Sequence, residues 1–205
     1  MKYFIDTEFI EGTQTKRVLS IPIGKTKPII DLISIAIVAE DGREYYAISK
    51  DFNLREAWNR WQFNKSDANP VKYRRKGFTK IHSRNTLSDG KYWIRSNVLY
   101  PIYLELSDKE LHEQYHYDKD DWDFKEFKRL IDKYGKTNDT IAEEVNIFTK
   151  RYTWTDPKDG NKTLLGGEDK SVEFYGYYAD YDWVASCWLF GKMIDLPKGF
   201  PMYVS

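Results

Sequence analysis

Two carboxylates separated by a single residue, Asp6 and Glu8 in the stretch FIDTEF, are the side chains of this sequence best placed to do chemistry. Tyr3, Phe4 and Ile5 before them read as a strand. Successive strand side chains point to opposite faces, so Asp6 and Glu8 share a face about 7 Å apart. Like charges so placed repel unless something positive lies between them. A second acidic pair, Asp180 and Asp182 in YYADYDW, falls where a strand over Val172 to Tyr178 hands over to a helix, and the ends of sheet strands are where α/β folds put ligands. An acid that opens a helix also has a plainer role, capping backbone N–H groups and suiting the macrodipole. Taken together, an acidic pair on the first strand and an acid beginning a late helix suit a hard cation held by oxygen ligands. Two such ions, about 3.5–4 Å apart, would relieve the repulsion and activate water against a phosphodiester.

The elements that must position these groups can be read from hydrophobic period. After the first strand, EGTQTKRVLSIPIGKTK is polar and punctuated by Gly, and it leads into a β-rich run, DLISIAIVAE. The turn signal EDGRE and a further β segment, EYYAIS, follow, so the first three strands make an antiparallel meander. From Leu54 to about Asp120 the pattern loosens into short helical pieces, read as an insertion. Helical spacing returns in DWDFKEFKRLIDKYG, with Trp122, Phe124, Phe127, Leu130 and Ile131 on one face and Gly135 as the stop. A second helix, capped near Asn138 or Asp139, turns Ile141, Val145, Ile147 and Phe148 inward. TWTDPKDGNKTLLGGEDKS reads as a polar loop, VEFYGYY as a strand and DYDWVASCWLFGKM as a helix. The order indicates an α/β domain with a mixed sheet.

At these residues the sequence resembles a known family. DTEF, the hairpin DLISIAIVAEDGREYYAIS and YYADYDWVASCWLFG are similar to the DEDD exonucleases of the RNase H-like superfamily. The nearest resemblance is to 3′-5′ exoribonucleases of the polyadenylate-specific exoribonuclease AS type. WIRSNVLYPIY and TIAEEVNIFTKR also look like that family's connecting segments, while Leu54 to Lys91 lies largely outside the resemblance. The fold it implies is an RNase H-like mixed sheet, its antiparallel meander flanked by helices, in a single domain over 1–205 with an inserted helical and loop region over 54–120. The activity it implies is metal-dependent hydrolysis of RNA from the 3′ end, releasing nucleoside monophosphates, with Mg²⁺ or Mn²⁺ in a two-metal site. By the same resemblance Asp6 would bridge both metals, Glu8 would hold the one that orients the attacking water, and Asp182 would serve the other, with Asp180 as its rival.

The family carries a third motif, a His or Tyr base followed by an Asp ligand. Here His82, His112 and His116 all precede Asp182, and Asp195 in GKMIDLP is the only acid after it. The expectation is therefore a chain without its usual C-terminal end, either shortened or descended from an enzyme that lost catalysis, and impaired as a nuclease. The alternative is a catalytically inactive relative that binds nucleic acid or a protein through the same cleft.

Composition narrows the partners. Thirty-two basic residues balance 32 acidic ones, so attraction for nucleic acid must be local. VKYRRKGFTKIHSR supplies one local candidate: Arg74, Arg75 and Lys76 to neutralise phosphates, and Tyr73 or Phe78 to stack a base. Single-stranded RNA is expected ahead of DNA, with a homodimer left open. His112 and His116 are spaced as half of a zinc site, without a third ligand at a characteristic spacing. The single Cys187 lies in an apolar run and fits a reducing cytoplasm as a small core residue. No leader or membrane-length apolar run is evident, so a cytoplasmic location without membrane association is expected.

Overall fold

The computed structural model describes residues 1–19, 21–60, 92–113, 122–156, 158, 160–166, 172–177, 179–191 and 195–201. It divides into two compact units, one made of Met1–Asn53 with Phe127–Ser205 and the other of Leu54–Glu126.

The first unit is built on a four-stranded mixed sheet. Strand β1 (Lys2–Gly12) pairs antiparallel with β4 (Ile29–Ala39), which pairs antiparallel with β5 (Glu44–Ile48). On its other side β1 pairs in parallel with β8 (Glu173–Tyr175), giving the order β5-β4-β1-β8. Along β1 the odd residues Tyr3, Ile5 and Thr7 are buried while Lys2, Phe4 and Asp6 are exposed, the period of two that a half-covered strand produces. The meander read from the sequence is therefore present. Its turn closes through Gly42 N–H to the Ala39 carbonyl at 2.9 Å, with Gly42 at a φ of 81° that favours glycine.

Two stretches expected to be irregular are hairpins. Within EGTQTKRVLSIPIGKTK, β2 (Thr15–Val18) pairs with β3 (Ile21–Lys25), and Gln14 and Thr26 link that pair to the β1–β4 ladder through Thr26 N–H to Gln14 O at 2.8 Å. The β-branched and apolar residues at its tip outweigh the Gly punctuation that suggested a loop. Within TWTDPKDGNKTLLGGEDKS, β6 (Arg151–Thr155) pairs with β7 (Lys162–Gly166), and Asp156, Gly160 and Asn161 lie in the bend between them.

Helix α3 (Phe124–Tyr134) buries Phe127, Leu130 and Ile131 at the spacing of one helical face. It ends at Gly135, where a Cβ would meet the Ile131 carbonyl oxygen at 2.6 Å. Helix α4 (Asn138–Thr149) starts one residue before the expected cap: the Thr137 hydroxyl accepts from Thr140 N–H, and Asn138 N–H is taken by Asp51 Oδ2 at 2.7 Å. Ile141 and Val145 face inward as expected, but Ile147 is exposed. Strand β8 is shorter than the expected Val172–Tyr178, and α5 (Ala179–Leu189) follows it closely. The core joins Tyr3, Ile5, Ile35 and Ile37 of the sheet to Ile141 and Val145 of α4 and to Trp183 and Cys187 of α5. Cys187 is fully buried, as expected.

The second unit contains α1 (Leu54–Asn59) and a π-helical turn, Arg95–Leu99, that runs into α2 (Tyr100–Glu113). Trp58 and Tyr103 both pack on Trp122, with ring centres 4.6 and 4.8 Å away, so the loosely patterned segment has an aromatic centre of its own. Arg95 Nε donates to the Trp58 carbonyl at 2.7 Å, and its guanidinium lies over the Trp58 ring. No helix among the described residues is long and apolar enough to cross a membrane.

Candidate active site

Asp6 and Glu8 stand on the middle strand of the sheet, opposite Ala36 and Ser34 of β4 respectively. The intervening Thr7 points the other way and is buried, so the two carboxylates occupy the same face of β1. The register shifts between Glu8, which pairs with Ser34, and Phe9, which pairs with Leu32, so Ile33 of β4 is the extra residue of a bulge beside Glu8. Beyond it the even-numbered Ile10 is buried.

Asp182 reaches β1 from the first turn of α5. Strand β8 pairs with Lys2, Tyr3 and Phe4, and among the described residues the following stretch of that β1 edge has no strand partner. There Asp182 Oδ1 accepts both Thr7 N–H at 2.9 Å and the Thr7 hydroxyl at 2.7 Å. The carboxylate takes the place of a missing backbone acceptor and ties the helix to the strand. It is buried, and the Ser186 hydroxyl donates to its carbonyl at 2.7 Å one helical turn on.

The electrostatics connect the three acids. Burial lifts the Glu8 carboxyl above its ordinary value, and the charges of Asp6 and Asp182 lift it further. Burial also raises Asp182, and Asp6 adds to that rise, so the net shift is upward despite the two hydrogen bonds from Thr7. Asp6 and Glu8 have no side-chain hydrogen-bond or ion-pair partner among the described residues. The described residues nevertheless contain no group of three His, Cys, Asp or Glu side chains converged closely enough to hold an ion.

Asp180, the rival to Asp182, is exposed in the same helical turn, and Asp195 is exposed beyond the end of α5. Tyr73, Arg74, Arg75, Lys76, Phe78, His82 and His116 lie outside the described residues, as does the side chain of His112. Sequence reasoning missed Thr7, whose role needs the helix to be in place. It also missed the stacked pair of Phe9 and Tyr181, with ring centres 5.8 Å apart and planes 12° apart, each next in the chain to one of the acids.

A separate open groove of about 580 Å³ is lined by Arg43, Tyr45, Lys136, Glu144, Phe148 and Arg151, among others, and includes none of the three acids. Its cations are largely engaged. Arg43 bonds Asp41 and the carbonyls of Phe148 and Arg151, while Lys136 and Tyr45 both donate to Glu144. It is a weaker candidate for chemistry than the strand that bears the acids.

Fold and site together define an α/β protein with a carboxylate-bearing central strand braced by a buried helix acid. No family model matches the chain. Over 57 residues it is 49% identical to 3′-5′ exoribonucleases of two strains of Mycobacterium tuberculosis, a match covering 28% of this chain and 26% of each relative. The chain thus spans about a quarter of the length of the curated relatives it matches.

Proposed function

We propose that this chain is a metal-dependent 3′-5′ exoribonuclease of the DEDD, RNase H-like type, hydrolysing single-stranded RNA from its 3′ end to nucleoside monophosphates. The observation that carries the proposal is electrostatic. Glu8 feels the charges of both Asp6 and Asp182, and neither Asp6 nor Glu8 has a cationic partner among the described residues. Carboxylates without a cationic partner are the donor chemistry that Mg²⁺ or Mn²⁺ takes. Identity to proteins named as 3′-5′ exoribonucleases supports the same assignment. Asp6, Glu8 and Asp182 are the residues that would hold the metal, with Asp182 offering the oxygen that Thr7 does not use. A bound divalent ion supplies charge neutralisation and a more acidic water at a phosphodiester. Thr7 fixes the position of the Asp182 carboxylate.

A second reading, a nucleic-acid-binding relative without catalysis, is favoured by one observation: the three acids are not converged as they stand. The test is 5′-labelled oligoadenylate with Mn²⁺. Stepwise shortening from the 3′ end that is lost in Asp6→Ala supports the exonuclease, whereas RNA binding without shortening at stoichiometric protein over hours supports the second reading. Titrating Mn²⁺ against the wild type and Asp6→Ala tests the metal directly, since equal binding by both would remove it from these acids.

A further inference from the structure

The ribbon formed by β2 and β3 continues the β1–β4 ladder past the strand end that carries the acids. Its foot is fixed. Gln14 N–H donates to Thr26 Oγ1 at 2.9 Å, and Gln14 Nε2 donates to Asp31 Oδ2 at 3.0 Å, the same oxygen that accepts Asn53 N–H. Beyond that foot nearly every described residue of the ribbon is exposed. Residues 13–30 carry Lys16, Arg17, Lys25 and Lys27 and no acid, in a chain whose charges balance overall. The side chains of Lys16, Lys25 and Lys27 have no ion-pair or hydrogen-bond partner among the described residues. The tip exposes Val18, Leu19, Ile21 and Ile23, with Leu19 92% exposed.

The two faces of the ribbon decide what it fits. Before the register shift between Lys16 and Arg17, alternation puts Lys25, opposite Thr15, on one face of the ribbon and Lys16, opposite Gly24, on the other. Neither face is free of cations, as the core of a protein-docking surface would be. Charge on both sides of a two-stranded ribbon suits a polyanion that lies along it, with aliphatic side chains against sugars and bases.

We propose that the β2–β3 ribbon is a nucleic-acid arm, in which Lys16, Lys25 and Lys27 hold the sugar–phosphate backbone of single-stranded RNA upstream of the 3′ end presented to Asp6 and Glu8. The proposal rests on the exoribonuclease assignment for the identity of the strand. It adds a binding element remote from the acids, which makes affinity depend on RNA length. Each phosphate contact on a single strand contributes about 0.7 to the salt slope.

The test is fluorescence anisotropy of the 205-residue protein with a labelled single-stranded RNA of about 20 nucleotides and with a trinucleotide, in chelator so that hydrolysis cannot intervene. Lys16→Gln/Lys25→Gln/Lys27→Gln is expected to weaken binding of the long RNA about 10- to 100-fold at about 0.1 M salt and to flatten its salt slope by up to about 2 units. Binding of the trinucleotide should be unchanged, and the triple Arg variant should restore the long RNA. An unchanged circular dichroism spectrum and melting temperature confirm that the variants fold. Equal affinity and slope for the Gln variant overturn the arm. So does a loss of self-association in sedimentation with RNA binding intact, which would assign the ribbon to a second copy of the chain. Loss of long-RNA binding in the Gln variant, alongside the same shortening of oligoadenylate by wild type and Asp6→Ala, would keep the arm and reject the exonuclease assignment.

Discussion

Asp182 and Thr7, 175 positions apart in the chain, are joined by two hydrogen bonds to one carboxylate oxygen, from the Thr7 amide and from its hydroxyl. The contact stands in for a strand partner at the point where β8 has ended, and it sets an acid of the candidate site by a purely structural device. Thr7→Val keeps the shape of the side chain and removes one of the two donors. It should lower stability in urea unfolding by about 1–3 kcal/mol, the range for a hydrogen bond to a charged group left partly unmade. In a double-mutant cycle with Asp182→Asn the two changes should couple, because each removes part of the same interaction. Additive effects would show that the two residues act independently.

Neutralising Asp6 should have the opposite sign. Burial raises the Glu8 carboxyl, with Asp6 as the larger of the two charge contributions. A raised acid favours the folded state at low pH, and that contribution is lost as pH climbs from the ordinary Glu value of about 4.3 through the higher folded value. Asp6→Asn should therefore raise the melting temperature of the metal-free protein at neutral pH and reduce its fall between acid and neutral pH. A lower melting temperature at pH 7 would show that Asp6 makes a favourable contact.

Burial pushes the Cys187 thiol up to about 11, and the residue is fully enclosed by the core. The native protein at pH 8 should therefore react with a thiol-exchange reagent only as fast as it opens. Raising urea through the unfolding transition should bring the rate to that of a free cysteine. Rapid labelling of the native state would place the thiol at the surface.

Gly135 closes α3 without a left-handed backbone, so its reason is space. An added Cβ would lie 2.6 Å from the Ile131 carbonyl oxygen and 3.0 Å from Lys50 Cβ. The first neighbour is backbone and gives little. Gly135→Ala should cost about 1–3 kcal/mol, the usual penalty of overpacking, even though alanine is the better helix former. A stability gain would show that the end of α3 relaxes freely.

Where one face of an element carries the whole signal, the sequence was readable. The meander, α3, α4 and α5 follow from period and turn residues, and the placement of Asp6 and Glu8 on one face follows from alternation alone. Ile147 shows the limit of the same rule, since it lies in the helical pattern of α4 and is nevertheless exposed. The two extra hairpins were hidden because Gly, Pro and Lys in exposed ribbons resemble loop composition, and their pairing is a matter of cross-strand register. The link from Asp182 to Thr7 was hidden for a different reason. An acid opening a helix has a local use as a cap, and only the early end of β8 shows that its oxygen is spent on a distant strand instead.

The parallel pairing of β1 with β8 has a consequence for how the protein is made. At about 5–20 residues per second, roughly 10–35 s separate the synthesis of Thr7 from that of Asp182. Once β5 has been made, the meander of β1, β4 and β5 is on the ribosome for the rest of that interval with the β1 edge open, an exposed template for pairing with another chain. Only when β8 and α5 emerge are that edge covered and Asp182 brought to Thr7. A nascent chain held by a chaperone until that moment would be protected from aggregation and, by the same geometry, would not yet have its helix tied to the strand.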